Sequence, residues 1–194
     1  MTGSRPIVLA SASPRRRDLL REAGYTFTVM PADVDETLHP GVDPADAAVD
    51  IARRKALAVA PGMRGAIVLA ADTIVVTESG RPVGKPVDAA DAKRMLRELS
   101  GSTHVVITGV FIIDTATSAS LSRAVKTTVV FGRMTDDEIN AYVDSGEALG
   151  KAGAYAIQET GDRFVRSIDG SFTNVVGLPM EDVTEMLAAF AAPC

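Results

Sequence analysis

The stretch "LASASPRRRDLL", residues 9–20, changes from strand to helix within a few residues and carries three consecutive arginines. Residues 7–10 read as a short buried strand, and Pro14 suits the first position of a helix expected over 14–22 and closed by Gly24. With Ser13 as N-cap, Arg15 and Arg16 fall in the first turn, where unpaired N–H groups already carry roughly half a positive charge. Both lie one turn before Leu19 and Leu20, on the face that must turn inward, whereas Arg17 lines up with Arg21 toward solvent. Positive charge here opposes the helix dipole, and a local rule broken without local compensation marks a functional site. A bound polyanion, phosphate above all, would supply the compensation through helix N–H groups and guanidinium forks. The competing explanation is pairing with Asp18 and Glu22 on the same helix.

Outward from this segment, strands and helices alternate. "YTFTVM" (25–30) has the period of a half-buried strand. Asp43 and Pro44 open a helix expected to reach Val59 and stop before Pro61 and Gly62. "AIVLAADTIVV" (66–76) is an apolar strand interrupted by Asp72 and Thr73; a turn "ESG", a loop "VGKPVD" and a helix from Asp88 through Leu99 follow. Residues 103–114 and 121–132 read as two long strands, antiparallel because their link is short. Thr135 and Glu138 have capping-box spacing, and an amphipathic helix is expected over 181–190. Helices mixed with both separated and adjacent strands imply an α/β fold with a mixed sheet. Without repeats or linkers, a single domain over 1–194 is expected.

Bulk properties narrow the function. The 194 residues are 46% hydrophobic and 23% charged, ordinary for a globular protein. A net charge of −5 and a sequence pI near 5.1 argue against a nucleic-acid polymer as partner. Cys194 is the only cysteine, so neither a disulfide framework nor a thiolate metal site can be built. The N-terminal apolar run is too short for a signal peptide, and no run approaches the ~20 residues that span a membrane. No membrane partner and a cytoplasmic location are therefore expected. "GRPVGKP" (80–86) is one residue short of a P-loop and has Pro86 where that motif needs Ser or Thr. His39 and His104, the only histidines, are far apart and expected to be structural or surface residues.

The remaining candidates are lysines and acids. Lys55 stands four residues after Ile51 and four before Val59, on the inner stripe of its helix, and Lys85 sits in a Gly-Lys-Pro loop. Asp72 brings a carboxylate to the end of a buried strand, where ligand crevices of α/β sheets form; its charge would need a nearby cation. Asp33, Asp35 and Glu36 crowd one loop, and carboxylates together with phosphate oxygens suit Mg²⁺ or Mn²⁺.

Taken in order, "LASASPRR", "DVDE", "ARRKA", "AADTIV", "GKP", "LSG", "ITGV", "KAGAYAIQ" and "VVGLP" run across nearly the whole chain. The set resembles the Maf family of nucleoside triphosphate pyrophosphatases, named for septum formation. The resemblance implies an inosine triphosphatase-like α/β fold: a mixed central sheet flanked by helices, in two lobes with a cleft. It implies metal-dependent hydrolysis of a nucleoside triphosphate to monophosphate and pyrophosphate, by a monomer or a homodimer. Carried over, the catalytic carboxylate falls on Asp72, the phosphate-gripping positions on Ser11, Arg16, Lys55 and Lys85, and the loop carboxylate on Glu36. Glu36 and Asp72 are the metal candidates, and Asp72 is equally readable as base or as ligand.

Three pocket positions separate branches of the family. The branch resembling 7-methyl-GTP pyrophosphatases has Trp, Gln and Glu where this chain has Arg15, Thr73 and Gln158. That set resembles the dTTP/UTP pyrophosphatase branch. Glu159, where glycine is common, and Phe172, where tyrosine is common, depart from it. The rival functions are a nucleotide-binding regulator of septum formation without turnover and a phosphatase removing only the terminal phosphate.

Overall fold

A computed structural model describes residues 5–39, 41–158 and 160–191; Glu159 and Cys194 fall outside them. The elements follow in the order β1 (Ile7–Leu9), α1 (Pro14–Glu22), β2 (Phe27–Val29), α2 (Pro44–Val59), β3 (Ile67–Thr77), β4 (Pro82–Val83) and α3 (Ala89–Leu99). Then come β5 (Thr103–Asp114), β6 (Ser120–Phe131), α4 (Asp136–Asp144), β7 (Val165–Asp169), α5 (Phe172–Val176) and α6 (Met180–Ala191). Helix starts match their sequence signals: Asp43 accepts from Ala45 N, Asp88 from Asp91 N, and Thr135 with Glu138 forms the full capping box. Two details differ. Past Val59 the chain continues into a 3₁₀ turn, Ala60–Gly62, which tolerates Pro61 because proline fits the opening of a helical turn. The supposed loop at 83 begins with a two-residue strand, too short to have a period of its own.

The sheet is mixed, with order β2-β1-β3-β5-β6-β7 and β4 on the side of β3. β1 lies between two parallel partners, Val8 opposite Thr28 of β2 and Val68 of β3. β4 runs antiparallel to β3, and β7 antiparallel to β6 with an irregularity between Val130 and Phe131. At the two ends of the β5–β6 pair, Asp114 N donates to Ala119 O and Phe131 N to Ser102 O, the antiparallel arrangement expected.

The chain forms two compact units. The first comprises 1–72, 108–125 and 177–194, the second 73–107 and 126–176. Strands β3, β5 and β6 each contribute residues to both. In the first unit, α2 lies on a sheet face made by Val8, Ala10, Val68, Ala70 and Phe111, with Ala52, Ala56 and Val59 as its inward stripe. Gly109 on β5 sets that approach. A Cβ there would stand 2.3 Å from the Ala48 carbonyl carbon and 2.4 Å from Val49 N, so the helix backbone touches the strand directly. The core of the second unit includes an aromatic cluster: His104, Phe131 and Tyr155 meet edge to face, and Tyr142 does the same with Phe164.

Candidate active site

Side chains alternate along β3, so Val68, Ala70 and Asp72 share the face that receives α2. On α2 the buried stripe Ala48, Ile51, Ala52, Lys55, Ala56, Val59 meets them. Each apolar row contains one charged residue, and the two pair: Lys55 Nζ donates to Asp72 Oδ1 at 2.6 Å. Both are buried, with 6% and 7% of their surface exposed. Lys55 also holds Glu36 Oε1 at 2.7 Å. The cation that a buried Asp72 requires is thus Lys55.

The loop carrying Glu36 is tied down by its neighbours. Thr37 N donates to Asp35 Oδ1 at 2.9 Å, and the Arg54 guanidinium donates to the Asp35 carbonyl. Of the three acids in that loop, Asp35 turns back on its own backbone, Asp33 is exposed, and Glu36 reaches the lysine.

Arg16 is buried at the start of α1. Its Nε donates to the Gly177 carbonyl at 2.8 Å and its Nη1 to Ser11 Oγ at 3.2 Å. Ser11 Oγ also accepts from Ser13 N at 3.2 Å, while the Ser13 side chain makes no cap of its own. Burial pushes the Arg16 pKa down, Asp72 and Glu36 pull it back up, and Arg15 lowers it further. The two clusters, Ser11–Arg16 and Lys55–Glu36–Asp72, therefore lie within electrostatic reach of each other. Asp18 pairs with Arg21 on the same helix. Arg15 is half-buried, and Arg17 is not the solvated residue its helical position suggested: its Nε is buried with no hydrogen-bond partner.

The other expected residues belong to the second unit. Thr73 is half-buried beside Asp72 in sequence, whereas Lys85 and Gln158 are exposed. The Lys85 loop is fixed to the "KAGAY" segment by a backbone bond, Gly153 N to Gly84 O at 3.0 Å. Phe172 is exposed at the start of α5. His104 is buried and His39 exposed, the structural and surface placements expected.

Among the described residues no three His, Cys, Asp or Glu side chains converge as a metal cage. Glu36 and Asp72 do meet at one cation-sized point, which Lys55 marks at 2.7 and 2.6 Å. Their two carboxylates are hard oxygen donors of the kind that Mg²⁺ or Mn²⁺ takes. Gly177 and Arg54 escaped the sequence reading. A backbone carbonyl has no residue signature, although "VVGLP" pointed at its neighbourhood; Arg54 reads as an ordinary solvated partner of Asp50, a bond it also makes.

The Maf-like protein family model matches residues 6–190. The chain belongs to the Maf family. Among its relatives, a dTTP/UTP pyrophosphatase of Geobacter sulfurreducens is 52% identical over 186 residues, covering 96% of this chain and 97% of that protein. A dTTP/UTP pyrophosphatase of Pelotomaculum thermopropionicum is 48% identical over 184 residues, covering 95% and 96%. In fold, the chain is similar to a HAM1 protein from Coxiella burnetii, with a TM-score of 0.53 at 17% identity over 96% of this chain and 98% of that one. That likeness agrees with the inosine triphosphatase-like α/β fold expected of a Maf protein. No helix among the described residues is long and apolar enough to cross a membrane.

Proposed function

We propose that this protein hydrolyses dTTP and UTP to the nucleoside monophosphate and pyrophosphate, with Asp72 and Lys55 at the reacting centre. One observation carries the reading: a buried carboxylate, lysine and second carboxylate stand together near a buried arginine. Near-full-length relatives named dTTP/UTP pyrophosphatase support the substrate. A phosphate binder needs the cations alone; the carboxylates give the site something to do with water.

Attack on the α-phosphorus must overcome repulsion between the water and a highly charged chain, so positive charge dominates the design. Arg16 is oriented by the Gly177 carbonyl and Ser11. It and Ser11 grip phosphate oxygens, Lys55 keeps Asp72 in place, and Asp72 accepts the proton of the attacking water. Glu36 and Asp72 would hold Mg²⁺ or Mn²⁺, which supplies charge neutralisation and a more acidic water. Lys85 is assigned to phosphate and Gln158 to the base on the strength of the motifs that carry them, with Arg15 and Thr73 completing the selectivity set. The Gln158 amide has a donor and an acceptor, which match the O4 and N3–H edge shared by thymine and uracil. We treat 1–194 as one functional domain, acting on the cytoplasmic nucleotide pool.

The test is product analysis. With Mg²⁺ and dTTP or UTP, pyrophosphate and monophosphate should form in equal amounts. Orthophosphate with diphosphate would replace this reading by that of a terminal phosphatase, and binding without turnover would leave a nucleotide sensor.

A further inference from the structure

Residues 153–158 of the second unit are held by more contacts than a surface loop needs. Gly153 has φ +70°, donates to Gly84 O, and presses on Val75, whose methyl would lie 3.1 Å from a Cβ there. Ala154 follows with φ +60°, a conformation that a non-glycine residue keeps only when its surroundings impose it. The next two residues carry the anchors. Tyr155 OH bonds the buried His104 Nε2 at 2.9 Å, and Ala156 N donates to Tyr142 OH at 3.0 Å. Gly161 leaves room for the Ala156 carbonyl, which a Cβ would approach to 2.4 Å. Beyond Gln158, Glu147 Oε2 accepts from Thr160 N at 3.1 Å and from its hydroxyl at 2.8 Å. The exposed Gln158 therefore stands between two clamped positions.

Backbone strain persists where the surrounding structure over-determines it, and such positions cluster at functional sites. An amide has a particular need for this. Thymine offers an acceptor at O4 and a donor at N3, cytosine a donor at N4 and an acceptor at N3, so an amide turned over by half a revolution pairs with the wrong base. A fixed backbone narrows the positions from which the glutamine side chain can present one orientation of its amide. His104 has one ring nitrogen on Tyr155 and the other buried without a hydrogen-bond partner.

We propose that His104, Tyr155 and Tyr142 are positioning residues for base selection: their bonds fix Tyr155 and Ala156, two residues before Gln158, in a segment tied to the Lys85 loop through Gly153. The inference rests on the reading that Gln158 contacts the base. Its prediction is that loosening the anchors relaxes selectivity without slowing the hydrolytic step.

Tyr155→Phe removes one hydroxyl and keeps the ring stacked on His104 and Phe131. The ratio of kcat/KM for dTTP to that for dCTP, measured on one preparation, does not depend on the fraction folded. It should fall about fivefold, the scale of one net hydrogen bond, through a raised KM for dTTP with kcat within twofold. His104→Gln, which can still bond Tyr155, should retain the wild-type ratio, and His104→Leu should lose it. Gln158→Ala is measured alongside. If Gln158→Ala lowers the ratio and Tyr155→Phe does not, the positioning role is overturned and the base-reading role stands. If neither lowers it, the base-reading role fails and takes the inference with it.

Discussion

Arg16 answers the question its own sequence raises. A guanidinium in the first turn of α1 is unfavourable locally, yet here it is buried and gripped by a carbonyl and a hydroxyl, with Asp72 and Glu36 in electrostatic reach. Arg16→Ala should therefore lower kcat/KM for dTTP by about 10- to 100-fold, the weight of a charge-assisted hydrogen bond, while the fold persists. A kinetic assay beside a thermal melt checks this; unchanged kinetics with a lowered melt would make Arg16 a structural residue. Asp72→Asn keeps the shape of the side chain and removes the proton acceptor, so turnover should fall by about 10²-fold or more. His104 gives a prediction in pH. Burial pushes its imidazole from 6.5 down to about 4. The unfolded chain takes up that proton between these values and the folded chain does not, so the contribution is complete above pH 6.5 and lost as pH falls toward 4. The gap corresponds to about 3 kcal/mol. Melts from pH 7 to 4 should fall more steeply for the wild type than for His104→Gln; parallel curves would contradict a neutral buried histidine. Residues of this kind differ in legibility. Helical spacing put Lys55 on the inner stripe of α2, where it is buried, but its role came only from the family motif. Arg17 was misplaced, because helical spacing tells which side chains share a face and not how much the rest of the chain covers it.

At the scale of elements, the site depends on how closely α2 lies on the sheet. Gly109 permits contact between strand and helix backbone, and Lys55 lies two turns along from Ala48. Gly109→Ala should cost about 2 kcal/mol or more through overpacking, and should lower activity as well because Lys55 shifts with its helix. Urea melts and dTTP turnover measure the two effects; a variant with wild-type stability would contradict the contact. The helices and long strands were readable because caps and apolar periods are local signals. The hairpin of β3 with β4 was not. Two residues cannot show a period, and the pairing of Val75 with Val83 is imposed by the turn between them. The tie between Gly153 and Gly84 was invisible for the same reason, being a bond between backbones distant in sequence.

For the molecule as a whole, the mixed order β2-β1-β3-β5-β6-β7 brings Ser11, just past the end of β1, beside the neighbouring β3. Asp72 is not at the strand end its sequence suggests: β3 runs on to Thr77, and Asp72 lies mid-strand, three residues past the last pairing with β1 at Leu69. The sequence order of the motifs conveyed the family, and the fold agrees with it, but no spacing rule could have said that Glu36 and Asp72 share one lysine. The two carboxylates beside a phosphate-binding arginine predict metal dependence: chelation should abolish turnover, and Mg²⁺ or Mn²⁺ should restore it. Base choice should follow Gln158 and Arg15, with 7-methyl-GTP a poor substrate until Arg15→Trp and Gln158→Glu are combined. The central claim is that Asp72, held by Lys55, directs water to the α-phosphorus. The most direct measurement is dTTP hydrolysis in Mg²⁺ by wild type and Asp72→Asn, with pyrophosphate and orthophosphate quantified separately. The account predicts pyrophosphate from the wild type and at least about 10²-fold less from the variant; equal pyrophosphate from both, or orthophosphate as the primary product, would contradict it.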